Sequence, residues 1–162
     1  MYSPLTIANT AIQMRPGRSP MGVNKIVYLI HGWSLAHGRS VVGELPQLWK
    51  YGPIYASLYD ALRSFKNNPV MTPQPIVQGA TVPIVPHADK ETIVTIKATV
   101  DVYTECTDLQ LSTLAHADRS PWKEEAASRN FRTSLDQVIP EWRLRDHFAG
   151  KLAAHQAQHV SA

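Results

Sequence analysis

Residues 21–37 read Met21-Gly22-Val23-Asn24-Lys25-Ile26-Val27-Tyr28-Leu29-Ile30-His31-Gly32-Trp33-Ser34-Leu35-Ala36-His37, and their reading decides the fold class. Taken locally, Val27 to Gly32 looks like a strand ending in a His-Gly turn. Taken over its full length, the segment places Ile26, Val27, Ile30 and Trp33 at i, i+1, i+4 and i+7, with Gly38 set to end a helix in the left-handed conformation. The spacing predicts a largely buried helix over 21–37. A mainly α chain follows, one compact helical domain over 1–162 with at most a short β-hairpin.

The neighbouring segments agree. Leu5, Ala8 and Ile12 recur at helical intervals between Pro4 and Gln13, and Arg15-Pro16-Gly17 supplies a stop. Val41-Val42 and Leu48-Trp49 flank Gly43 to Gln47 and either pair as a brief hairpin or run extended. Pro53 suits a first helical position, ahead of Ile54, Leu58, Ala61, Leu62 and Phe65 at helical spacing, which predicts a helix from Pro53 to Phe65. Five of the twelve prolines fall between Asn67 and His87, where they remove backbone donors; that stretch is expected to be ordered, irregular and the most mobile part of the fold. Lys90 to Glu105 reads both ways: Ile93, Ile96, Val100 and Tyr103 fit a helical face, while Val94, Ile96, Ala98, Val100 and Val102 alternate as in a strand. Sixteen residues is long for a strand, so helix is expected. Thr107 is placed to cap a helix that turns Leu109, Leu111, Leu114 and Ala115 to the core, Ser120 to cap one opening at Pro121, and Pro140 to start a terminal helix to about residue 155 with Leu144, Phe148 and Leu152 in a row.

Hydrophobic residues make up 44% of the 162 residues and charged ones 18%, enough apolar surface to offset the entropy of ordering one domain. No apolar run approaches the roughly 20 residues that span a bilayer, and no signal-peptide pattern opens the chain. The single Cys106 forms no intramolecular disulfide, which suits a reducing compartment, so a cytoplasmic location is expected. The net charge is +3. It is uneven: residues 1–66 hold seven Lys/Arg against two acids, and residues 67–162 hold nine against eleven. Such asymmetry steers an acidic protein as readily as a phosphate backbone, and without a dense basic cluster interleaved with aromatics it argues against nucleic acid.

Three kinds of chemistry were weighed on the residues. Val27 to Gly32 looks like the turn that leads to an oxyanion hole in α/β-hydrolases, and Gly32-Trp33-Ser34-Leu35-Ala36 approximates a nucleophile elbow; those features belong to separate strand–helix units in that fold, and no second G-x-S-x-G exists. His31, His37, His116 and His147 lack the spacing that places two metal ligands on one helical face, and His155 and His159, which have it, lie in an Ala/Gln-rich tail. The glycines form no phosphate-binding pattern. The sequence therefore assigns no catalytic residue, no metal and no cofactor.

Three motifs carry a resemblance. They are Asn24 to Trp33 with Tyr28, His31, Gly32 and Trp33; Trp49-Lys50-Tyr51-Gly52-Pro53-Ile54-Tyr55-Ala56-Ser57-Leu58-Tyr59; and Leu111-Ser112-Thr113-Leu114-Ala115-His116 with Ser120-Pro121-Trp122. In that order, within residues 5–126, they resemble the K-L-L-Y-x-x-H-G-W, W-K-Y-G-P-V-x-x-x-L-Y and L-S-x-x-T-H-x-x-x-x-P-W segments of the Panacea family of SocA-like antitoxins and phage-associated GepA-like proteins. Ala115 stands where Thr is common in the family.

The resemblance implies a protein partner: a toxin neutralised by direct contact, or escorted to a protease by an adaptor. Alternatively it implies a host protein bound by a prophage accessory or counter-defence factor. His31, Trp33, Trp49, Tyr51, Gly52, Pro53, Tyr55, His116, Pro121 and Trp122 are expected to converge on a partner-facing groove. The variable parts are expected to set specificity: the Pro-rich loop from Met71 to His87, and Arg143, Arg145 and Lys151 on the terminal helix.

Overall fold

The computed structural model describes residues 1–160. Seven α-helices and one two-stranded hairpin account for its regular structure. Helix α1 (Pro4–Met14) and helix α2 (Pro20–Ala36) start alike, with Ser3 and Ser19 capping the first turn and a proline at the next position. Strands β1 (Gln47–Trp49) and β2 (Gly52–Ile54) pair antiparallel. Helix α3 (Ala56–Leu62) continues into a 3₁₀ turn, Arg63–Phe65. Helices α4 (Lys90–Val102), α5 (Asp108–His116), α6 (Pro121–Ser128) and α7 (Glu141–Val160) complete the chain.

Helix α2 is the axis. Residues Gly22 to Gly32 are all buried, and α1, α3, α4, α5, α7 and β2 pack around it. The largely buried helix that the spacing predicts is observed, and its burial extends beyond the stripe to all of residues 22–32, because burying Ile26, Val27, Leu29, Ile30 and Leu35 stabilises by about 1.5–3 kcal/mol per side chain and needs neighbours all round. Helix α7 crosses α2 at Gly32, where a Cβ would lie 2.1 Å from Phe148 Cε2. The Phe148 ring fills that space and meets Tyr28 and Trp33 edge-on at 5.9 and 5.2 Å.

Several expectations change. Val41-Val42 does not pair with Leu48-Trp49: Val42 bridges Tyr2, and β1 pairs with β2 across a turn at Lys50-Tyr51. Pro53 therefore sits in a strand, not at a helix start, and the third helix begins at Ala56. Proline is tolerated there because Pro53 faces Leu48, one residue in from the pair that closes the turn, where the missing N–H would point away from β1. On the other side of β1, Leu48 N donates to Gln137 O and Ile139 N to Pro46 O.

Lys90–Val102 is helical, as its length predicts. In α5, Leu111 and Ala115 are buried, but Leu109 and Leu114 face solvent, because none of the described residues packs over that side of the helix. In α7, Leu144 and Phe148 are buried and Leu152 half-buried, and the helix runs on to Val160. The Pro-rich stretch is irregular but anchored. Gly17 N donates to Val70 O and Val70 N to Arg18 O; the Asn9 amide donates to Gln74 O and Pro83 O and accepts from Gln74 N; Thr10 Oγ1 accepts from Val85 N. Buried Asn9 and Thr10 replace the partners that the prolines take from the loop.

Two glycine substitutions test this packing in opposite directions. Gly32→Ala should destabilise by about 1–3 kcal/mol, the usual cost of overpacking a core. Gly150→Ala, helical and with nothing within 4 Å of the added carbon, should stabilise by about 0.5–1 kcal/mol. Urea midpoints would read both, and equal midpoints for the two variants would contradict the α2–α7 crossing.

Candidate functional site

The three sequence motifs meet at the hairpin. Gly52 has φ +110°, a conformation side chains rarely adopt, and a Cβ on it would lie 2.8 Å from His116 Cε1 and 3.1 Å from Lys25 Nζ. Backbone conformation and close approach both require glycine here. Lys25 Nζ donates to Pro53 O at 2.8 Å, and Tyr55 N donates to Asn24 Oδ1 at 2.9 Å, so two residues of α2 hold β2 from below. Trp122 Nε1 donates to Trp49 O at 2.8 Å, so the start of α6 holds β1.

His116 packs edge-on against Trp122, 4.7 Å between ring centres, and its Nδ1 donates to Ser112 O at 2.6 Å. A carbonyl only accepts, so Nδ1 carries the proton and, in the neutral ring, Nε2 is the acceptor. Tyr55 is fully buried, and its hydroxyl is hydrogen-bonded to His31 Nδ1 at 2.8 Å. Pro121 is buried as well, at the first position of the helix that carries Trp122.

Electrostatics follow from this burial. Lys25 is wholly buried with no carboxylate beside it among the described residues, and burial pushes its pKa from 10.5 down to about 7. Burial also lowers His31 to about 4, with Glu141 opposing, and raises the Tyr55 hydroxyl. His116 is lowered by burial first and then by Lys25 and Lys123, against the Ser112 carbonyl, which raises it.

The supports leave the turn itself outside. Tyr51 is 70% exposed at its tip, with Lys50 Nζ 5.2 Å from its ring centre. Beside it, Trp49 is half-buried, donates to Gln47 Oε1 and meets Tyr59 edge-on at 4.9 Å.

Trp33 lies elsewhere. It faces α4 and α7, donating to the Tyr103 hydroxyl at 3.1 Å and packing on Phe148. Met71 and His87 are exposed on the Pro-rich loop. Arg143 is held by buried Glu125 at 2.6 Å, with Arg129 as that carboxylate's second partner, and lies over Trp142 at 4.6 Å; Arg145 pairs with Glu141, and Lys151 is exposed. The segment that approximates a nucleophile elbow is the interior of α2, where Ser34 Oγ donates to His31 O. No three His, Cys, Asp or Glu residues converge as metal ligands among the described residues, and none of their helices is long and apolar enough to cross a membrane.

The arrangement has a match among known families. A family model described as antitoxin SocA-like, Panacea domain, matches residues 23–123, more than half of the chain. The chain belongs to the SocA-like Panacea family. The matched interval takes in the hairpin and its supports from Asn24 to Trp122, while α1, the 137–139 segment that pairs with β1, and all of α7 lie outside it. Comparison with curated proteins and with solved structures gives no match.

Asn24 and Lys25 are the anchors that site reasoning on the sequence missed. Residue type alone carries no decisive signal: a lysine inside an otherwise apolar run is either exposed on a surface face or buried with a partner, and only the packing around residues 22–32 separates the two.

A pH test follows. Between about pH 7 and 10.5 the unfolded chain carries a proton on Lys25 that the native chain has lost, so stability rises with pH across that window. The slope is at most about 1.4 kcal/mol per pH unit for one proton. Denaturation of wild type and Lys25→Met at pH 7, 8 and 9 should show a rise in the wild type that the variant lacks; parallel profiles would refute a buried, unpaired amine.

Proposed function

We propose that this Panacea domain neutralises a toxin by direct, stoichiometric binding, without turnover of a small molecule. The observation that carries the reading is the disposition of the Trp49–Tyr59 motif. Buried Lys25, Asn24 and Trp122 all bond to the backbone of one short hairpin and its exit, and that hairpin presents an exposed tyrosine. Tyrosine is a common interface anchor, since it offers a large amphipathic surface with little rotamer entropy to lose. A rigid mount lowers the ordering cost of binding further.

The Pro-rich loop supplies a second contact with the same logic. Met71, Ile76 and Val77 are exposed on a segment that Asn9, Thr10 and Arg18 hold in place, so apolar side chains stand in solvent on an anchored frame. On this reading residues 1–162 act as one unit in the cytoplasm, and Arg143, held by Glu125, keeps α7 against α6 and makes no steering contact. Delivery of the bound toxin to a protease would use the same contact.

Co-expression with the product of the adjacent gene tests the proposal. The wild type should restore growth and co-purify in a fixed ratio. Tyr51→Ala should weaken the complex about 10- to 30-fold, as expected of an interface anchor, with an unchanged circular dichroism spectrum. Ile76→Asp with Val77→Asp should reduce rescue in the same way. Rescue that survives all three substitutions, or a small molecule consumed during rescue, would overturn the binding account.

A further inference from the structure

The alternation of Val94, Ile96, Ala98, Val100 and Val102 imitates a strand because α4 carries two apolar stripes. Ile96 and Val100 enter the core. Val94, Ala98 and Val102, at i, i+4 and i+8, form a second row that points outwards, with Val94 65% and Val102 72% exposed. One apolar stripe holds a surface helix to its protein; a second row left in solvent marks an interaction surface.

The row lies along a trench of about 360 Å³ whose other walls are Trp33 and His37 of α2 and His155 of α7. Its aromatic wall is preset, since Trp33 donates to the Tyr103 hydroxyl and packs on Phe148. Past Val94 and Thr95 the trench continues to Arg39, Lys90 and Glu91. It therefore follows α4 for most of its 13 residues, about 20 Å at the helical rise.

Charge decides what fits. At the near end Arg39 is engaged by Asp89 and Glu91 at 3.4 and 3.2 Å. That leaves Lys90, on the first turn of α4 where the helix dipole adds positive potential, as the lining's cation without a carboxylate partner. Among the described residues of the lining the one carboxylate is Glu91, and it is engaged by Arg39. A second copy of this chain would bring its own Lys90 and an α7 end (residues 147–160) without acidic residues against the same features, which repel.

We propose that α2, α4 and α7 form a docking trench for an amphipathic helix of the protein partner, seated on Val94, Ala98 and Val102, with an acidic side chain against Lys90. The inference rests on the partner-binding reading and adds a third contact, distinct from the Tyr51 turn and the Pro-rich loop. A helix is the matching shape: residues at i, i+4 and i+8 form one ridge, which lies along the groove of an opposing helix.

The full chain and the product of the adjacent gene serve as probes, with affinity read by calorimetry. Val94→Glu with Val102→Glu should weaken the complex at least 100-fold. Lys90→Glu should weaken it about tenfold and flatten its salt dependence. As a check independent of folding, Ala98→Cys in a Cys106→Ser background should react with a maleimide at least tenfold more slowly once the partner is bound. Wild-type binding that none of these alters overturns the trench and leaves the Tyr51 contact standing; absence of wild-type binding overturns both. Sedimentation of the protein alone separates the remaining occupant: a dimer that Val94→Glu with Val102→Glu dissolves would assign the trench to a second copy.

Discussion

Residues 22–32 of helix α2 are all buried, so the polar groups there that are paired find their partners inside the protein. That constraint organises the molecule. Asn24 and Lys25 reach the backbone of the β2 strand and its exit, His31 reaches the Tyr55 hydroxyl, and Ser34 turns back on its own helix. An unpaired polar group in such a place costs about 1–3 kcal/mol, so the hairpin is placed by the needs of the helix below it as much as by its own two-residue turn. The Tyr28 hydroxyl and His31 Nε2 have no such partner among the described residues.

The same constraint explains how a two-stranded hairpin, marginal in isolation, is held in place here. It is bonded from below by α2, from one side by α6 through Trp122, and along β1 by the 137–139 segment. Gly52 permits the closest of these approaches. Lysine inside the core is the costliest choice in the set, since its ammonium is desolvated without a counter-charge, and burial favours the neutral amine. A neutral amine still donates to Pro53 O, which joins the domain's most distinctive motif to its central helix.

Two surfaces depend on this frame in different ways. The Tyr51 turn belongs to the part of the chain that the family model covers, and its geometry is set by buried polar contacts. The α4 trench is set by packing: α4 and α2 lie within the family interval, but the wall contributed by α7 lies outside it.

Much of the fold was legible along the chain because caps and helical periodicity are local. Thr107 and Ser120 accept from the backbone as their positions predict, Ser3 and Ser19 do the same at α1 and α2, and Thr107 with Gln110 completes a capping box. Pro53 misled because the same fixed φ serves a first helical turn and a strand position that needs no donor; only the pairing with Leu48 separates them. The α4 alternation was ambiguous because period 2 and two helical stripes select the same residues. Among the candidate site residues, order along the chain brought Trp49, Gly52, Pro53, His116 and Trp122 to one place, yet Trp33, a member of the same motifs, packs on Phe148, a contact no local signal encodes. Sequence by itself determined the mainly helical fold, the caps at Thr107 and Ser120, and the family. Tertiary structure alone decided that Lys25 is buried, and that Tyr51 and the outer row of α4 are exposed, because burial is set by what packs from elsewhere in the chain.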